Sequence, residues 1–282
     1  TNLSILLANT LGTEIISCDS RQFYRELSIG TAKPSKSDLK TVKHHFIDHL
    51  SIHDEFSVGT YSRETNEILK SLFNKINIVI MVGGSGLYAD SILYGIDRFP
   101  KVKTDIKKQI ISLFKNEGIK RLNSMLEEYD PEYYNIVDKN NSRRIIRALE
   151  VCLSTGKPFT SFLKKKRKNS FFESKILLMN PERKELYKKI NTRVNKMISI
   201  GLEKEAKKLY KYKNLHSLQT LGYKEFFNYF EGKHNYKNTI EKIKTNTRRY
   251  AKRQTTWNKK YREAFLINEN YKLDEIINFI NK

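Results

Sequence analysis

One stretch restricts the fold more than any other. Ile76-Asn77-Ile78-Val79-Ile80-Met81-Val82 is apolar and largely β-branched, and it runs straight into Gly83-Gly84-Ser85-Gly86 and a helix-forming segment from Leu87. A strand, a glycine turn and a helix in immediate succession form half of a βαβ unit. Glu14-Ile15-Ile16-Ser17-Cys18 reads as a shorter strand that delivers Asp19 at its carboxyl end, and Lys175-Ile176-Leu177-Leu178-Met179 as a third. An amphipathic helix over 2–12, closed by Gly12, precedes the first strand, and helical segments separate the others. The pattern predicts an α/β fold on a parallel sheet. Ligands of such sheets bind at the carboxyl ends of the strands, where Asp19 and the Gly83–Gly86 turn both belong.

Between the second and third strands the strand signal vanishes. Residues 104–170 read as an all-helical insertion, with helices over Lys107–Phe114 and Ile119–Tyr129, an Asp130-Pro131 turn, and a helix that Ser142 caps and Thr155-Gly156-Lys157-Pro158 stops. It ends in the basic run Lys164-Lys165-Lys166-Arg167-Lys168. The domains expected are therefore 1–103 with 171–282 as an α/β core, and 104–170 as the insertion. From 181 onward the tail reads as helical, ending near Ile277–Ile280.

Charge follows this division. Residues 1–100 carry ten basic and eleven acidic side chains, whereas residues 101–282 carry 43 and 20, within a chain of net charge +22. A lysine-rich compositional bias would enrich both parts alike. The asymmetry instead points to a polyanionic partner, nucleic acid before anionic membrane, because each neutralised phosphate releases a counterion. No apolar run approaches the ~18 residues of a membrane span, so no membrane partner is expected. The two cysteines, Cys18 and Cys152, stand alone. That excludes a zinc ribbon or a disulfide scaffold and places the expected protein in a reducing cytoplasm.

Several short blocks then narrow the class. Asp19-Ser20-Arg21-Gln22-Phe23-Tyr24 is followed by Ile29-Gly30-Thr31-Ala32-Lys33-Pro34, His44-His45-Phe46-Ile47-Asp48 and Val82-Gly83-Gly84-Ser85-Gly86-Leu87-Tyr88. Further on stand Arg144-Ile145-Ile146-Arg147-Ala148-Leu149-Glu150-Val151, Thr155-Gly156-Lys157-Pro158, Leu221-Gly222-Tyr223-Lys224-Glu225 and Tyr250-Ala251-Lys252-Arg253-Gln254, and Arg193-Val194 is followed by Met197 and Gly201-Leu202. In this order they resemble the tRNA dimethylallyltransferase (tRNA isopentenyltransferase) family, in its bacterial form. The resemblance implies a P-loop-NTPase-like, nucleotide-binding core and transfer of a dimethylallyl group from its diphosphate to N6 of the adenine 3′ of the anticodon. Two departures accompany it. The loop G-x-x-x-x-G-K-[ST] is represented by Thr1 alone, read as its last residue, and Arg143 stands where the family prefers glutamine.

The resemblance also assigns roles. Thr1 and Arg193 would bind diphosphate, with the Thr1 hydroxyl on the accompanying Mg²⁺ and Arg193 opposing the charge that grows as the C–O bond breaks. Asp19 would accept from N6 as the base. Asp19, Ser20, Arg21, Gln22, Ser85, Lys107, Arg143, Arg144 and Arg147 would meet tRNA. Each residue also admits a plainer reading: a surface cation for Arg193, a capping or Mg²⁺-organising carboxylate for Asp19, loop polars for Ser20 and Gln22, a tight turn for the glycines, a solvated helix face for Lys107. Arg248, Arg249, Lys252 and Arg253 form a second basic cluster interleaved with Tyr250 and Trp257, both of which admit core packing, the preferred reading for Trp257. His44 and His45 read as structural. A monomer is expected. The rival readings are an isopentenyltransferase acting on free adenine nucleotide, a P-loop nucleotide kinase and a non-catalytic RNA-binding protein.

Overall fold

The structure, a computed structural model, describes residues 2–163 and 171–282. Thr1 and the basic run 164–168 lie outside the described residues. The chain is a mixed α/β protein with small parallel sheets and many helices, and it divides into two compact units, Thr1–Leu93 with Asn169–Lys282, and Tyr94–Lys168.

The discontinuous unit begins with α1 (Asn2–Thr10), β1 (Ile15–Ser17), α2 (Lys36–Thr41), β2 (His44–His45), α3 (Val58–Phe73), β3 (Ile80–Val82) and α4 (Gly86–Leu93). The three strands form a parallel sheet in the order β2-β1-β3, with Ile15 opposite both His44 and Ile80. Wholly buried Ile15 and Ile16 make β1 the centre. The strand expected over 76–82 is shorter than its apolar run, because Lys75 and Ile76 both donate backbone N–H to the carbonyl of Leu72 and so finish α3. The buried Tyr61 of α3 stacks on Phe23 and donates its hydroxyl to the Ser17 carbonyl at 3.1 Å, which fixes the helix against the end of β1. At β2, His45 Nε2 lies 2.6 Å from Glu14 Oε2, and His44 Nδ1 lies 2.8 Å from the Val42 carbonyl.

In the contiguous unit stand α5 (Thr104–Tyr129), α6 (Pro131–Ile136) and α7 (Ser142–Thr155). Gly118, at φ +72°, bends α5 into two arms. Val102, Ile110, Leu122, Leu126, Ile145, Leu149 and Phe159 form its core. The unit begins at Tyr94 rather than at 104, because Val102 belongs to this core and Phe99 stacks on Phe159 at 4.7 Å. The cap of α7 is Asn141, whose side chain accepts from the Arg144 N–H, and Ser142 is the first helical residue instead. Asp130, 1% exposed, caps α6 and accepts from both the backbone and hydroxyl of Thr160, which ties the helix start to the 158–162 turn.

The first unit resumes with β4 (Leu177–Met179), α8 (Arg183–Ser199), α9 (Leu202–Leu209), α10 (Tyr223–Phe230), α11 (Tyr236–Asn258), β5 (Phe265–Ile267) and α12 (Leu273–Asn281). Here the structure corrects two expectations. The third strand does not join the β1 sheet; it pairs in parallel with β5, Leu177 opposite Phe265. The tail is also not wholly helical, since β5 interrupts it. Three apolar residues behind the charged Arg262-Glu263 are too short a run for periodicity to reveal. A shared apolar cluster of Leu7, Ile267 and Ile276 takes in both Ile80 and Leu177, so α1 and α12 pack against strands of both sheets. Among the described residues no helix is long and apolar enough to cross a membrane.

Candidate active site

The site is built at the carboxyl edge of the β2-β1-β3 sheet. β1 ends at Ser17, and the chain turns at Asp19 as the Asp19 carbonyl accepts from the Gln22 N–H at 3.1 Å. Asp19 Oδ1 accepts from the Arg21 N–H at 3.0 Å. Surrounding protein strips water from this carboxyl and pushes it above the usual carboxylate range. The Arg21 N–H, then the charges of Arg193 and Arg21, pull in the opposite direction without prevailing. Arg193, exposed on α8, is therefore near enough to act on Asp19 electrostatically. A carboxyl raised by burial and a cation whose charge acts on it are brought together from residues 174 positions apart.

The neighbouring side chains hold this turn in place. Arg21 donates Nη1 to the carbonyls of His216 at 3.2 Å and Ser217 at 3.0 Å, and so spends its guanidinium on protein. Gln22 donates Nε2 to the carbonyls of Thr31 and Ala32, folding the Ile29–Pro34 segment back over the turn. That segment is gripped from below. Glu205 of α9 accepts from the backbone N–H groups of Ser28, Ile29 and Gly30, and from the Tyr223 hydroxyl. Gly30 is needed there because a Cβ would lie 2.4 Å from the Tyr223 ring.

Ser20 and Ser85 meet across the two strand ends. The Ser20 N–H donates to Ser85 Oγ at 3.0 Å, and the two hydroxyls lie 3.1 Å apart. The glycines beside Ser85 allow close approach of neighbours on both sides. A Cβ on Gly83 would lie 2.5 Å from the Cys18 carbonyl carbon and 2.7 Å from the Asp19 nitrogen; one on Gly84 would lie 2.2 Å from Gln254 Nε2, and one on Gly86 2.3 Å from Trp257 Nε1. Tyr250, Gln254 and Trp257 are spaced i, i+4, i+7, so one face of α11 lies along the turn. Gln254 Nε2 donates to the Gly84 carbonyl at 2.9 Å and the Tyr250 hydroxyl donates to it at 3.2 Å. Lys260 and Tyr261, beyond the end of α11, both bind the carboxylate of Asp90 on α4. Sequence reasoning weighed Tyr250 and Trp257 as core and left Gln254 without a structural role; the helical spacing was the available signal.

Arg248 does not belong with an outward basic cluster. Its Nη1 donates to Asn191 of α8 at 2.8 Å and its Nη2 to Thr245 at 2.9 Å, which ties α11 to the helix that carries Arg193. In the contiguous unit, Lys107, Arg143 and Arg144 are exposed, whereas Arg147 pairs with Glu150 at 3.2 Å and lies 5.4 Å from the Phe99 ring centre. Among the described residues no group of three or more His, Cys, Asp and Glu is placed to hold a metal ion.

A carboxyl raised by burial and a guanidinium charge acting on it thus lie at the carboxyl edge of a parallel sheet, where ligands of α/β folds bind. Comparison with known proteins gives the family. The family model described as IPP transferase matches residues 22–261. A tRNA dimethylallyltransferase of Christiangramia forsetii is 47% identical over 96% of this chain and 91% of its own length, and one of Flavobacterium psychrophilum is 45% identical over 100% and 94%. The crystal structure of the full-length tRNA isopentenylpyrophosphate transferase of Bacillus halodurans superposes with a TM-score of 0.71 at 32% identity, covering 99% of this chain and 90% of that one. A eukaryotic dimethylallyltransferase acting on tRNA, 24% identical, shares the fold at a TM-score of 0.76 over 95% of this chain and 70% of its own. The chain belongs to the IPP transferase family.

Proposed function

We propose that this chain is a tRNA dimethylallyltransferase. It moves a dimethylallyl group from dimethylallyl diphosphate to N6 of the adenine 3′ of the anticodon and releases diphosphate. The observation that carries the reading is Asp19: a carboxylate at a strand end, raised by burial and opposed by the charge of Arg193.

The chemistry follows from that pair. The N6 lone pair attacks C1 of the prenyl group, the C1–O electrons leave with diphosphate, and the N6 proton passes to the Asp19 carboxylate. An exocyclic amine is a weak nucleophile, so proton acceptance in step with bond formation helps most when the base is stronger than an ordinary aspartate. Arg193 opposes negative charge on the departing diphosphate. Ser20, Ser85 and Gln22 hold the loop that presents Asp19. Arg21 acts through the same loop, since its side chain is committed to the 216–217 carbonyls.

The core belongs to the P-loop-NTPase-like class, and the diphosphate enters with Mg²⁺. Hydroxyl and carboxylate oxygens are the hard donors this ion takes, one or two from protein beside phosphate oxygens and water. The Thr1 hydroxyl is the protein donor assigned to it, which leaves the Asp19 carboxylate free for the N6 proton. When bound, the ion would supply charge neutralisation on the leaving group. tRNA is gripped chiefly by the basic side chains beyond residue 100, with exposed Arg143, Arg144 and Lys107 on phosphate. The protein works as a monomer in the cytoplasm.

The test is transfer of labelled dimethylallyl to unmodified tRNA, with adenine nucleotide in parallel. The expected result is label in tRNA for wild type and a loss of about 10²–10⁴-fold in rate for Asp19→Asn, with tRNA affinity held within severalfold. Label in free nucleotide alone, or an undiminished Asp19→Asn rate, overturns the reading.

A further inference from the structure

Tyr250 lies beside the Asp19 turn with its ring in an uncommon state for a residue so firmly anchored. Its hydroxyl is pinned to the Gly84 carbonyl, and its phenol is pushed up by burial and then by the charge of Asp19, which places that end close to the carboxylate. Yet 37% of the residue is exposed. The Arg253 guanidinium lies 5.6 Å from the ring centre. The neighbours on the same helix face are spent on packing: Gln254 on the Gly84 carbonyl, Trp257 on Gly86. A hydrogen bond alone would be served equally well by a smaller polar side chain.

A base whose N6 is to reach Asp19 has left its stack, and an extruded base loses its stacking partners unless the protein replaces them. Aromatic rings and arginine planes are the side chains that do so. We propose that the ring of Tyr250 is the stacking platform for the adenine that Asp19 deprotonates, with Arg253 completing its edge. The inference rests on the functional reading above. It makes Tyr250 a substrate-binding residue specific for the nucleobase, with no part in holding the diphosphate.

The experiment uses full-length protein and two anticodon stem-loop RNAs, one with adenine and one with an abasic site at the target position. Three proteins are compared: wild type, Tyr250→Phe, which keeps the ring and removes the hydroxyl, and Tyr250→Leu, which removes the ring. Wild type and Tyr250→Phe are expected to agree within about threefold in kcat/KM for the adenine RNA. Tyr250→Leu is expected to lose about ten- to hundredfold, the range of one base–aromatic stack, with an unchanged KM for dimethylallyl diphosphate. Wild type should bind the adenine RNA more tightly than the abasic one, and Tyr250→Leu should bind both alike. That comparison is internal to each protein, so partial unfolding of a variant cancels from it. Equal damage in Tyr250→Phe and Tyr250→Leu would reduce the residue to a clip on Gly84, and an unaffected Tyr250→Leu would remove it from the site; both overturn the inference. A wild-type protein that transfers nothing to the adenine RNA would instead fail the functional reading itself.

Discussion

Replacing the three turn glycines by alanine, one at a time, separates the contacts that hold the active-site edge together. At Gly84 the new Cβ meets the tip of the Gln254 amide at 2.2 Å, a flexible group that swings away. The cost is one hydrogen bond, about 1 kcal/mol, because the Tyr250 hydroxyl still serves the Gly84 carbonyl. At Gly86 the Cβ meets the Trp257 indole at 2.3–2.7 Å. A rigid ring does not bend aside, so overpacking costs about 1–3 kcal/mol, relieved in part by the better helix propensity of alanine at the start of α4. At Gly83 the obstacle is the Cys18–Asp19 backbone itself at 2.5–2.7 Å, and either β1 or β3 shifts, at about 3 kcal/mol. The expected order of destabilisation is Gly84, then Gly86, then Gly83. With about 2–4 °C per kcal/mol for a chain near this size, Gly83→Ala should melt about 6–12 °C below wild type and Gly84→Ala about 2–4 °C below. Gly83→Ala should also lose about 10²-fold in kcat/KM at temperatures where it remains folded, because it displaces Asp19. Melting curves with transfer rates test this. A Gly83→Ala protein that melts and turns over like wild type, beside a strongly damaged Gly84→Ala, would refute the packing reasoning.

The titration of Asp19 gives two further outcomes. Its raised carboxyl places the acid limb of kcat/KM above the ordinary aspartate value of about 3.9. Activity is lost as pH falls through that limb, and Arg193→Gln, by removing an opposing charge, should move it higher still in a pH–rate profile. A raised acid also binds more protons folded than unfolded, so stability falls as pH rises through the window above the unfolded value. Asp19→Asn should therefore melt above wild type at neutral pH, with the difference vanishing at low pH. Finally, Arg143→Ala with Arg144→Ala should weaken tRNA binding and flatten its log–log salt slope by roughly one to two units, at about 0.7–0.9 per lost phosphate contact; titrations at several salt concentrations measure it.

The α/β class and the site edge could be read from the sequence because their signals are local. A β-branched run ending in glycines announces β3 and its turn, and a short apolar run ending in aspartate announces β1. Sheet membership is not local. Leu177–Met179 chooses β5 as its partner through packing on Leu7 and Ile276, and nothing within either strand records that choice. The basic cluster on α11 shows the same limit for side chains. Arg248 and Arg249 are adjacent and alike in sequence, but one is turned inward to Asn191 and the other is exposed. The family blocks likewise hold packing as well as chemistry: Gly30 and Tyr223 stand in two of them, and the Tyr223 ring fills the space over Gly30.

The anchors of the Asp19 turn come from far along the chain. Arg21 waits for the carbonyls of His216 and Ser217, Ile29 and Gly30 for Glu205, and Gly84 for Tyr250 and Gln254. On a translating ribosome at roughly 5–20 residues per second, Arg21 precedes its partners by roughly 10–40 s. For about the last quarter of that interval the contiguous helical unit is complete and can form its own core, since its contacts lie within Tyr94–Lys168. The helical unit thus matures before the Asp19 edge does. Nascent and prematurely terminated chains are left without the anchors of the Asp19 turn, and contacts of such long sequence separation are slow to form.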